Sequence, residues 1–301
     1  MNPQLPLFSI VIPTHARPKQ LSACLTALTR LDYPRDCFEV VVVDDGSPES
    51  LEPVVAPFSD YLTITLHRQP RSGPAAARNT GAAKARGQYI AFTDDDCQPR
   101  NDWLNVLAAQ LTDMPDALVG GHTINAIPDN LCASASQLLV SYLYSYYNTA
   151  EDRQTMFFTS NNIALSADYF HAINGFDTSY PRAAAEDRDF CDRWIQHGSP
   201  MIYAANAVIY HTHRMTLRSF WRQHLTYGRG AYRFHRGRAR RSQGQIKVES
   251  TTFYLGLLRF PFSQERPHRT VPLAVLLGLS QGANALGFFW ERARLASKMG
   301  S

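Results

Sequence analysis

The first half of the chain alternates short runs rich in β-branched and aromatic residues with segments whose apolar residues recur every three or four positions. Runs of the first kind predict β-strands, and segments of the second kind predict helices. The predicted strands are residues 7–13, 38–45, 61–68, 87–94 and 117–124, and the predicted helices between them are residues 19–30, 74–86 and 102–111. This alternation predicts an α/β fold with a mostly parallel central sheet flanked by helices, and a ligand crevice at the carboxyl ends of the strands.

Polar residues end three of the predicted strands. Pro13 and Thr14 follow the first strand, Asp44 closes the second, and three consecutive aspartates, Asp94 to Asp96, follow the fourth. Because the carboxyl ends of parallel strands meet at one edge of a sheet, we expect these groups to converge on a nucleotide. The usual phosphate loops are absent from the sequence, which has no GxGxxG after the first strand and no GxxxxGK[ST]. A group other than a glycine-rich loop must therefore bind the phosphates.

Three adjacent carboxylates repel one another unless a positive charge lies between them. Magnesium and manganese prefer oxygen ligands and bind through one or two carboxylates together with substrate phosphates. The triplet therefore predicts a divalent cation, Mn²⁺ or Mg²⁺, at this edge. As an alternative, residues 94–96 would only cap a following helix, because acidic residues are favoured at helix N-termini.

Composition excludes several other classes of protein. With 301 residues, 45% of them hydrophobic, the chain can bury a full core. Its five cysteines are scattered and form no CxxC pair, so we expect a reducing compartment and neither a disulfide framework nor a thiolate zinc site. The first 18 residues have no basic region before their short apolar stretch, which predicts a cytoplasmic chain without a signal peptide.

Charge is divided unevenly along the chain. Residues 1–210 contain 14 Lys and Arg against 23 Asp and Glu, whereas residues 211–301 contain 16 against 3. The basic C-terminal part predicts an anionic partner, either a membrane surface or phosphates. A nucleic-acid partner is not expected, because the sequence lacks the aromatic or groove-reading motifs of such proteins.

Six segments in order resemble the family 2 glycosyltransferases of the GT-A fold, which is Rossmann-like. The resemblance covers about residues 7–235, and its segments are VIPTHARP (11–18), VVVDDGS (41–47), GPAAARNTGAAKARGQYIAFTDDD (73–96), SNNIALS (160–166), INGFD (173–177) and AEDRDFCDRW (185–194). It implies an enzyme that moves a sugar from a nucleoside diphosphate sugar, with UDP as the expected nucleotide, to an acceptor hydroxyl.

The resemblance also implies roles for individual residues. Asp96 would hold the metal that bridges the donor diphosphate, Asp94 would lie near the ribose, and Asp95 is the variable middle residue on the donor side. The other positions that match the donor side are Pro13, Thr14, Arg17, Asp44, Arg78 and Asn79.

Each of these assignments has a plainer alternative. Arg78 alone would be read as an exposed helix cation and Asn79 as a turn residue. The segment DDGS, residues 44–47, also has the composition of a turn. A turn and a donor-binding role for Asp44 can hold together.

Residues 183–194 carry the predicted catalytic base. A helix beginning near Ala185 would place Glu186 and Asp187 in its first turn, with an acid pointing out of the helix N-terminus. A carboxylate so placed can accept the proton that the acceptor hydroxyl loses in an inverting transfer. The family's ED pair favours Asp187 as this base and leaves Glu186 to contact the acceptor or cap the helix. The alternative for Asp187 is a capping role alone.

Histidines and asparagines complete the predicted site. His211 and His213 follow a predicted strand at residues 200–210, and the resemblance favours His211 as a metal ligand over a surface or packing role. Asn161 and Asn162 match a segment beside the donor sugar, with Asn162 assigned to the acceptor side. Their alternative is a turn before a helix at residues 166–174. The tyrosines of residues 141–149 are predicted to pack in a core, with stacking on a sugar as the alternative.

The C-terminal residues 214–301 are predicted to form a basic helical extension of a glycosyltransferase domain, residues 1–213, whose nucleotide half is 1–97 and acceptor half 98–213. Residues 214–241 contain nine arginines near one helical face, with apolar residues opposite and few acids to pair with them. Residues 271–290 are long enough to cross a membrane, but Pro272 and the polar residues favour an interfacial or packed helix. We expect peripheral attachment to the cytosolic face of a membrane, and an acceptor that is a glycan or is lipid-linked.

The sequence as a whole predicts an inverting, metal-dependent glycosyltransferase. It is expected to add single sugars, because the QxxRW motif of processive members is absent. A nucleotidyltransferase would also use paired aspartates, but it normally has a glycine-rich basic loop where this chain has VIPTHARP. A non-catalytic nucleotide-sugar-binding module would need no base.

Overall fold

The structure is a computed structural model that describes residues 5, 7–148, 157–180, 184–242 and 249–297. The strands are β1 (Phe8–Thr14), β2 (Phe38–Asp45), β3 (Ile64–Gln69), β4 (Tyr89–Thr93), β5 (Cys97–Pro99), β6 (Leu118–Asn125), β7 (Asn162–Ser166) and β8 (Met201–His211). The helices are α1 (Pro18–Leu28), α2 (Glu52–Val55), α3 (Pro74–Lys84), α4 (Trp103–Asp113), α5 (Leu131–Tyr147), α6 (Ala167–Ala172), α7 (Glu186–His197), α8 (Leu217–Ser242), α9 (Thr251–Arg259), α10 (Pro261–Gln264) and α11 (Pro267–Ser297).

The described strands form one sheet in the order β3-β2-β1-β4-β7-β6-β8-β5. β1 is parallel to β2 and β4, and β2 is parallel to β3, with Thr14 opposite Asp44 at the carboxyl ends. β7 runs antiparallel to β4 and β6, and β5 runs antiparallel to β8. The α/β prediction is confirmed. Parallel pairing is found among the first four strands, and the strands beyond them make the sheet mixed.

Two strands, β5 and β7, are missing from the sequence prediction. β5 has only three residues and begins directly after the aspartate triplet. β7 lies in the segment in which two asparagines suggest a turn, yet it pairs with β4 on one side and β6 on the other. Pairing with two neighbours overrides the weak local preference of asparagine for turns.

The chain forms two compact units, of which the first comprises Met1–Ile124, Phe158–Pro181 and Phe190–Thr212. Its core is the sheet and the apolar stripes of the helices on it. In α1 the buried residues recur at helical spacing, as the sequence pattern predicts: Leu21, Cys24, Leu25 and Leu28. α3 lies so close to β1 that a Cβ at Gly81 would clash with the side chain of Val11. This close packing fixes where α3 starts, at the edge where the parallel strands end.

The second unit comprises Asn125–Phe157, Arg182–Asp189 and His213–Ser301. α8 and α11 pack at backbone distance, since a Cβ at Gly228 would clash with the backbone of Asn284 and one at Gly287 with that of Leu225. Its described residues include an apolar cluster with Leu138, Phe220 and Leu273 and another with Tyr142, Leu257 and Leu277. Among the residues described, α11 is the helix whose length and composition would let it cross a membrane.

These units differ from the expected division at residue 213. The second unit does begin again at His213, but it also takes residues 125–157 and 182–189 from the middle of the chain. The physical reason is α5, whose apolar residues are buried by α8, α9 and α11. Tyr142, Tyr144 and Tyr147 are buried, which confirms the predicted packing role for three of the four tyrosines, whereas Tyr146 is 40% exposed.

Candidate functional site

The aspartate triplet occupies the turn between β4 and β5. The backbone N–H of Cys97 donates to the carbonyl oxygen of Asp94 over 3.1 Å, which closes the turn. The side chain of Asp94 is 29% exposed, while those of Asp95 and Asp96 are 4% and 6% exposed. A strand follows directly, so the alternative that these acids cap a helix is wrong.

Two arginines neutralise part of the triplet's charge. The Arg17 guanidinium lies 3.0 Å from Asp95 Oδ1 and 3.0 Å from Asp96 Oδ2. Arg78, which is 3% exposed, donates to Asp94 Oδ1 over 2.7 Å. Burial lowers the pKa of Arg17, but the charges of Asp95 and Asp96 more than offset this and raise it. Both arginines were predicted on the donor side, and the structure places both on the triplet. Arg78 is therefore not an exposed helix cation.

Asp95 ties the triplet to the first strand. Thr14 Oγ1 donates to Asp95 Oδ2 over 2.7 Å, while Arg17 contacts the other oxygen. Burial raises the pKa of Asp95 to about 6, with Arg17 lowering it and Asp96 raising it. The middle aspartate is thus an anchor held by β1 and by the N-terminus of α1, next to Pro13 at the end of the strand.

His211 meets Asp96 at the end of β8. The antiparallel register places Cys97 opposite His211, and His211 Nε2 lies 3.1 Å from Asp96 Oδ1. Burial lowers the pKa of His211, but its hydrogen bond to Asp96 and the charges of Asp96 and Asp94 raise it above its usual range. His213 instead belongs to the second unit, where its Nε2 lies 3.0 Å from Gln223 Oε1. The structure therefore places His211, and not His213, on Asp96, and the metal-binding role of His211 stays a prediction.

The donor set around Asp96 fits a hard divalent cation. Asp96, His211 and Cys97 each offer one ligand atom, and these atoms lie within 4.8 Å of one another. Carboxylate oxygen and imidazole nitrogen both bind Mn²⁺, whereas a thiol favours softer metals. Burial, together with the charges of Asp96 and Asp94, raises the pKa of the Cys97 thiol far above its usual range. Asp96 and His211 are the fitting pair, and the closeness of Cys97 is a feature that sequence analysis missed.

Asp44 and Asp45 build the turn after β2. Asp44 Oδ1 accepts from the N–H of Ser47, and Asp44 Oδ2 lies 3.6 Å from Arg68 Nε. Asp45 accepts from the N–H groups of Ser72 and Gly73, which lead into α3. The turn interpretation of DDGS is confirmed. Arg68 was missed, because its contact with Asp44 depends on the register of β2 and β3.

Two asparagines predicted beside the sugar hold the scaffold instead. Asn79 Nδ2 donates to the carbonyl of Phe176, and its Oδ1 accepts from the N–H of the same residue. Asn162 is fully buried: Trp103 Nε1 donates to its Oδ1, and its Nδ2 donates to two backbone carbonyls, those of His122 and Ala207. These amides join loops and strands of the first unit, so we assign them to the scaffold and not to the donor or the acceptor.

Glu186 and Asp187 lie in the second unit, in the first turn of α7. The preceding residue, Ala185, has a φ of 71°, a left-handed conformation that turns the chain into the helix. Glu186 is buried and its Oε2 accepts from the N–H of Ala184, which precedes the helix, so acceptor contact and helix capping both stay predictions for it. Asp187 is half-buried, and its Oδ1 accepts from the N–H of Arg188. The predicted helix and the position of Asp187 in its first turn are confirmed, and its role as the base stays a prediction.

The arginine-rich helix α8 differs from its prediction in one respect. Arg229 and Arg233 turn inward and pair with Glu291 of α11, which Arg294 also contacts. Arg241 pairs with the buried Asp189. The expectation of a basic face without acidic partners is wrong for these residues, because single acids distant in sequence meet several arginines.

Comparison with known proteins places the chain in a family. The family model described as glycosyl transferase family 2 matches residues 9–173. This chain belongs to glycosyl transferase family 2. Among curated relatives of this member, glycosyltransferase AglE of Haloferax volcanii is 29% identical over 203 residues, covering 62% of this chain and 64% of AglE. The pre-mycofactocin glycosyltransferase of Mycobacterium tuberculosis is 30% identical over 228 residues, covering 74% of this chain and 46% of that protein. The chain thus spans less than two thirds of the length of these relatives.

Solved structures confirm the GT-A fold of this family 2 member. The mannosyltransferase PcManGT from Pyrobaculum calidifontis, in complex with GDP-Man and Mn²⁺, matches with a TM-score of 0.62 at 20% identity, covering 99% of this chain and 81% of that one. S. aureus TarS 1-349 in complex with UDP-GlcNAc matches with a TM-score of 0.54 at 18% identity, covering 97% of this chain and 92% of that one.

Proposed function

We propose that this protein is an inverting, metal-dependent glycosyltransferase that moves a sugar from a nucleoside diphosphate sugar to an acceptor hydroxyl. The observation that carries the proposal is the aspartate triplet with Arg17, Arg78 and His211 around it, at the edge where the parallel strands end. Membership of glycosyl transferase family 2 supports the same reaction. GDP-Man and UDP-GlcNAc occur in the structural relatives, and UDP is our expected nucleotide for this chain.

A charge count supports the metal. Among the described residues, three carboxylates pair with two guanidinium groups, so the triplet has one net negative charge when His211 is neutral. A diphosphate would add negative charge there, and a divalent cation would offset it. Asp96 and His211 would hold Mn²⁺ or Mg²⁺ there, and the bound ion would stabilise the charge that develops on the departing nucleoside diphosphate.

The chain's own residues would position the donor. Pro13 and Thr14 end β1 and Asp44 lies opposite Thr14 near the end of β2, so these two strand ends would lie along the base and ribose. Asp94, the most exposed of the three acids, remains the candidate for the ribose. Arg17 and Arg78, already on the triplet, would keep the acids in place and lie near the diphosphate.

Asp187 would act as the general base. The acceptor oxygen forms a bond to the anomeric carbon while the bond from that carbon to the diphosphate oxygen breaks, and the hydroxyl proton passes to the Asp187 carboxylate. The nucleoside diphosphate leaves with the electron pair, and the anomeric configuration inverts. A positioned carboxylate contributes about 10²- to 10⁴-fold to such a step.

The acceptor is proposed to be a glycan or a lipid-linked molecule, used by an enzyme that sits peripherally on the cytosolic face of a membrane. The basic C-terminal part, with 16 Lys and Arg against 3 acids in residues 211–301, supports an anionic surface as neighbour.

A donor-turnover assay tests the proposal. The purified protein is incubated with a panel of UDP- and GDP-sugars and Mn²⁺, and the release of nucleoside diphosphate is measured. We expect slow release from one donor, and Asp187→Asn should lower it by about 10²- to 10⁴-fold while the donor still raises the melting temperature. Asp168→Asn is the matched control, because Asp168 is an exposed acid in the first turn of α6.

Each other outcome has a clear meaning. Release of pyrophosphate in place of nucleoside diphosphate would identify a nucleotidyltransferase. Binding without any release would identify a non-catalytic module. Equal activity of Asp187→Asn and Asp168→Asn would reduce Asp187 to a helix cap and remove it as the base.

A further inference from the structure

Helix α11 exposes a long apolar row to solvent. Its large exposed residues recur at three-, four- and seven-residue spacing on one side of the helix, and between 40% and 62% of each is exposed: Val271, Val275, Leu279, Leu286, Phe289 and Trp290. Residues 270–290 contain no charged side chain. At 1.5 Å per residue this uncharged stretch is roughly 30 Å long. A row of this length on a soluble surface indicates a binding surface.

The row continues onto the neighbouring helices. Leu255 and Leu258 of α9 and Phe262 of α10 are exposed, and a Cβ at Gly278 of α11 would lie 3.9 Å from Leu258 Cδ2. Of the 18 large hydrophobic residues exposed in the described part of the chain, nine lie between residues 251 and 290. We call these nine residues the outer apolar face. Their concentration in one short stretch distinguishes them from scattered surface hydrophobics.

Arginines stand at the margins of the outer apolar face. Arg259 ends α9, Arg266 precedes α11 and Arg292 follows the uncharged stretch, and all three are exposed. An apolar surface with aromatic residues and flanking cations matches the interfacial layer of an anionic membrane, where acyl chains meet negative headgroups. A second protein would need an acidic rim to match the same arginines, and a two-fold contact of this face with that of a second copy would set Arg259, Arg266 and Arg292 against the same arginines of the copy.

We propose that the outer apolar face docks α9, α10 and α11 flat into the surface of an anionic phospholipid membrane without crossing it. The inference deepens the proposed function by naming the surface through which the enzyme would meet a lipid-linked acceptor, and it rests on that function only for its biological purpose.

The opposite side of α11 excludes a spanning helix. There Leu277, Ala283 and Glu291 are fully buried, and α8 runs alongside at backbone distance. If residues 270–290 crossed a bilayer, α8, which packs against Asn284 and Gly287 and carries Arg229 there, would be drawn into hydrocarbon with them. Charged residues at that depth are costly, whereas a helix lying in the interface leaves them on the water side.

Vesicle sedimentation with the full chain tests the proposal. We expect binding to vesicles of phosphatidylglycerol and phosphatidylcholine, and weaker binding to phosphatidylcholine alone. Leu286→Ser with Phe289→Ser should weaken binding on the order of 100-fold, because both side chains lose their burial in lipid. The matched control is Tyr61→Ser with Met114→Ser, which removes two exposed hydrophobics from the first unit and should leave binding unchanged. Arg266→Gln with Arg292→Gln should remove the preference for anionic vesicles.

Three results would overturn the proposal. One is no binding of the unaltered chain to anionic vesicles. Another is protein that resists extraction from the vesicles by alkaline carbonate, which would mean a spanning helix. The third is a Leu286→Ser, Phe289→Ser variant that turns a dimer into a monomer, which would assign the face to a second copy. Nucleoside diphosphate release in vesicle-free solution is measured separately, so failure of membrane docking and failure of the proposed reaction are distinguishable.

Discussion

Two of the buried charge clusters among the described residues differ in their balance of acids and cations. In the first unit, three aspartates face Arg17 and Arg78, with His211 against Asp96. In the second unit, the single carboxylate of Glu291 faces three arginines, Arg229, Arg233 and Arg294. The first cluster has acids in excess and the second has cations in excess, although both lie among apolar helices and strands.

The difference in charge balance distinguishes a candidate binding site in the first unit from a structural ion-pair cluster in the second. Both oxygens of Glu291 are occupied, Oε2 by Arg229 and Oε1 by Arg233 and Arg294. Burial raises the pKa of Glu291, but its hydrogen bonds from Arg229 and Arg233 more than offset this and hold it below its usual range. Among the described residues, two guanidinium groups pair with the three carboxylates of the triplet, so its net charge is negative when His211 is neutral. A carboxylate cluster with too few cations is therefore a candidate for metal and phosphate, whereas one acid saturated by arginines joins α8 to α11.

The largest effect is expected from Asp96→Asn. Removing the proposed metal ligand should lower transfer about 1,000-fold, because a bound metal contributes several kcal/mol to the transition state. The melting temperature without metal should change little, since the substitution also relieves repulsion with Asp95. Nucleoside diphosphate release and the rise in melting temperature with Mn²⁺ measure the two effects. Full activity, or an unchanged rise in melting temperature with Mn²⁺, would contradict the assignment of the first cluster as a metal site.

Glu291→Gln should have the opposite profile. It leaves Arg229 and Arg233 without their carboxylate, and removing one partner of a buried pair costs about 3 kcal/mol of unfolding free energy. Donor turnover per folded molecule should stay the same. Urea denaturation measures the loss, and replacing Arg229, Arg233 and Glu291 together by Met should recover most of it, because apolar residues can replace a buried ion pair. If Glu291→Gln alone is as stable as the unaltered chain, the Glu291 cluster does not hold α8 to α11.

Acidification should weaken the second unit through His224. This residue of α8 is fully buried between the rings of Phe220 and Tyr227, and burial lowers the pKa of His224 to about 4. The unfolded chain binds the proton below about pH 6.5 and the folded chain does not, so stability falls as the pH drops toward 4. At pH 5.5 the lowered pKa of His224 reduces the free energy of unfolding by roughly 1.4 kcal/mol. Denaturation at pH 8 and 5.5 should show a smaller loss for His224→Phe, and equal losses would contradict the assignment.

The smallest effect is expected at an exposed pair, Arg100 with Asp102. Their side chains are 40% and 43% exposed, and Arg100 Nε lies 2.6 Å from Asp102 Oδ1. Because water screens such pairs, Asp102→Asn should shift the melting temperature by less than about 2 °C. A shift as large as that of Glu291→Gln would mean that burial does not decide the strength of ion pairs in this protein.

The sequence predicts much of the donor edge because the signals there are local. The aspartates are adjacent in the chain, and Thr14 and Asp44 follow strands that periodicity identifies, so parallel pairing brings them to one edge. The histidine on Asp96 could be chosen from two candidates only by resemblance. The partners of Arg17 and Arg78 could not be predicted, since an arginine side chain reaches a phosphate or a carboxylate equally well.

Other parts of the prediction failed where a side chain's role depends on distant backbone. Asn79 and Asn162 are typical of turns and of sugar sites, but their amides meet backbone groups 97 positions away for Asn79 and 40 and 45 positions away for Asn162. Glu291 meets arginines 58 and 62 positions earlier in the chain. No local pattern encodes these distances.

The amino-acid sequence by itself determined the α/β order of elements, the acidic strand end and the family, because each depends on neighbours along the chain. Tertiary structure alone decided which arginines neutralise which acids, which histidine meets Asp96 and which side of α11 is buried. These depend on strand register and on the backbone contact of α8 with α11, which bring together groups far apart in sequence.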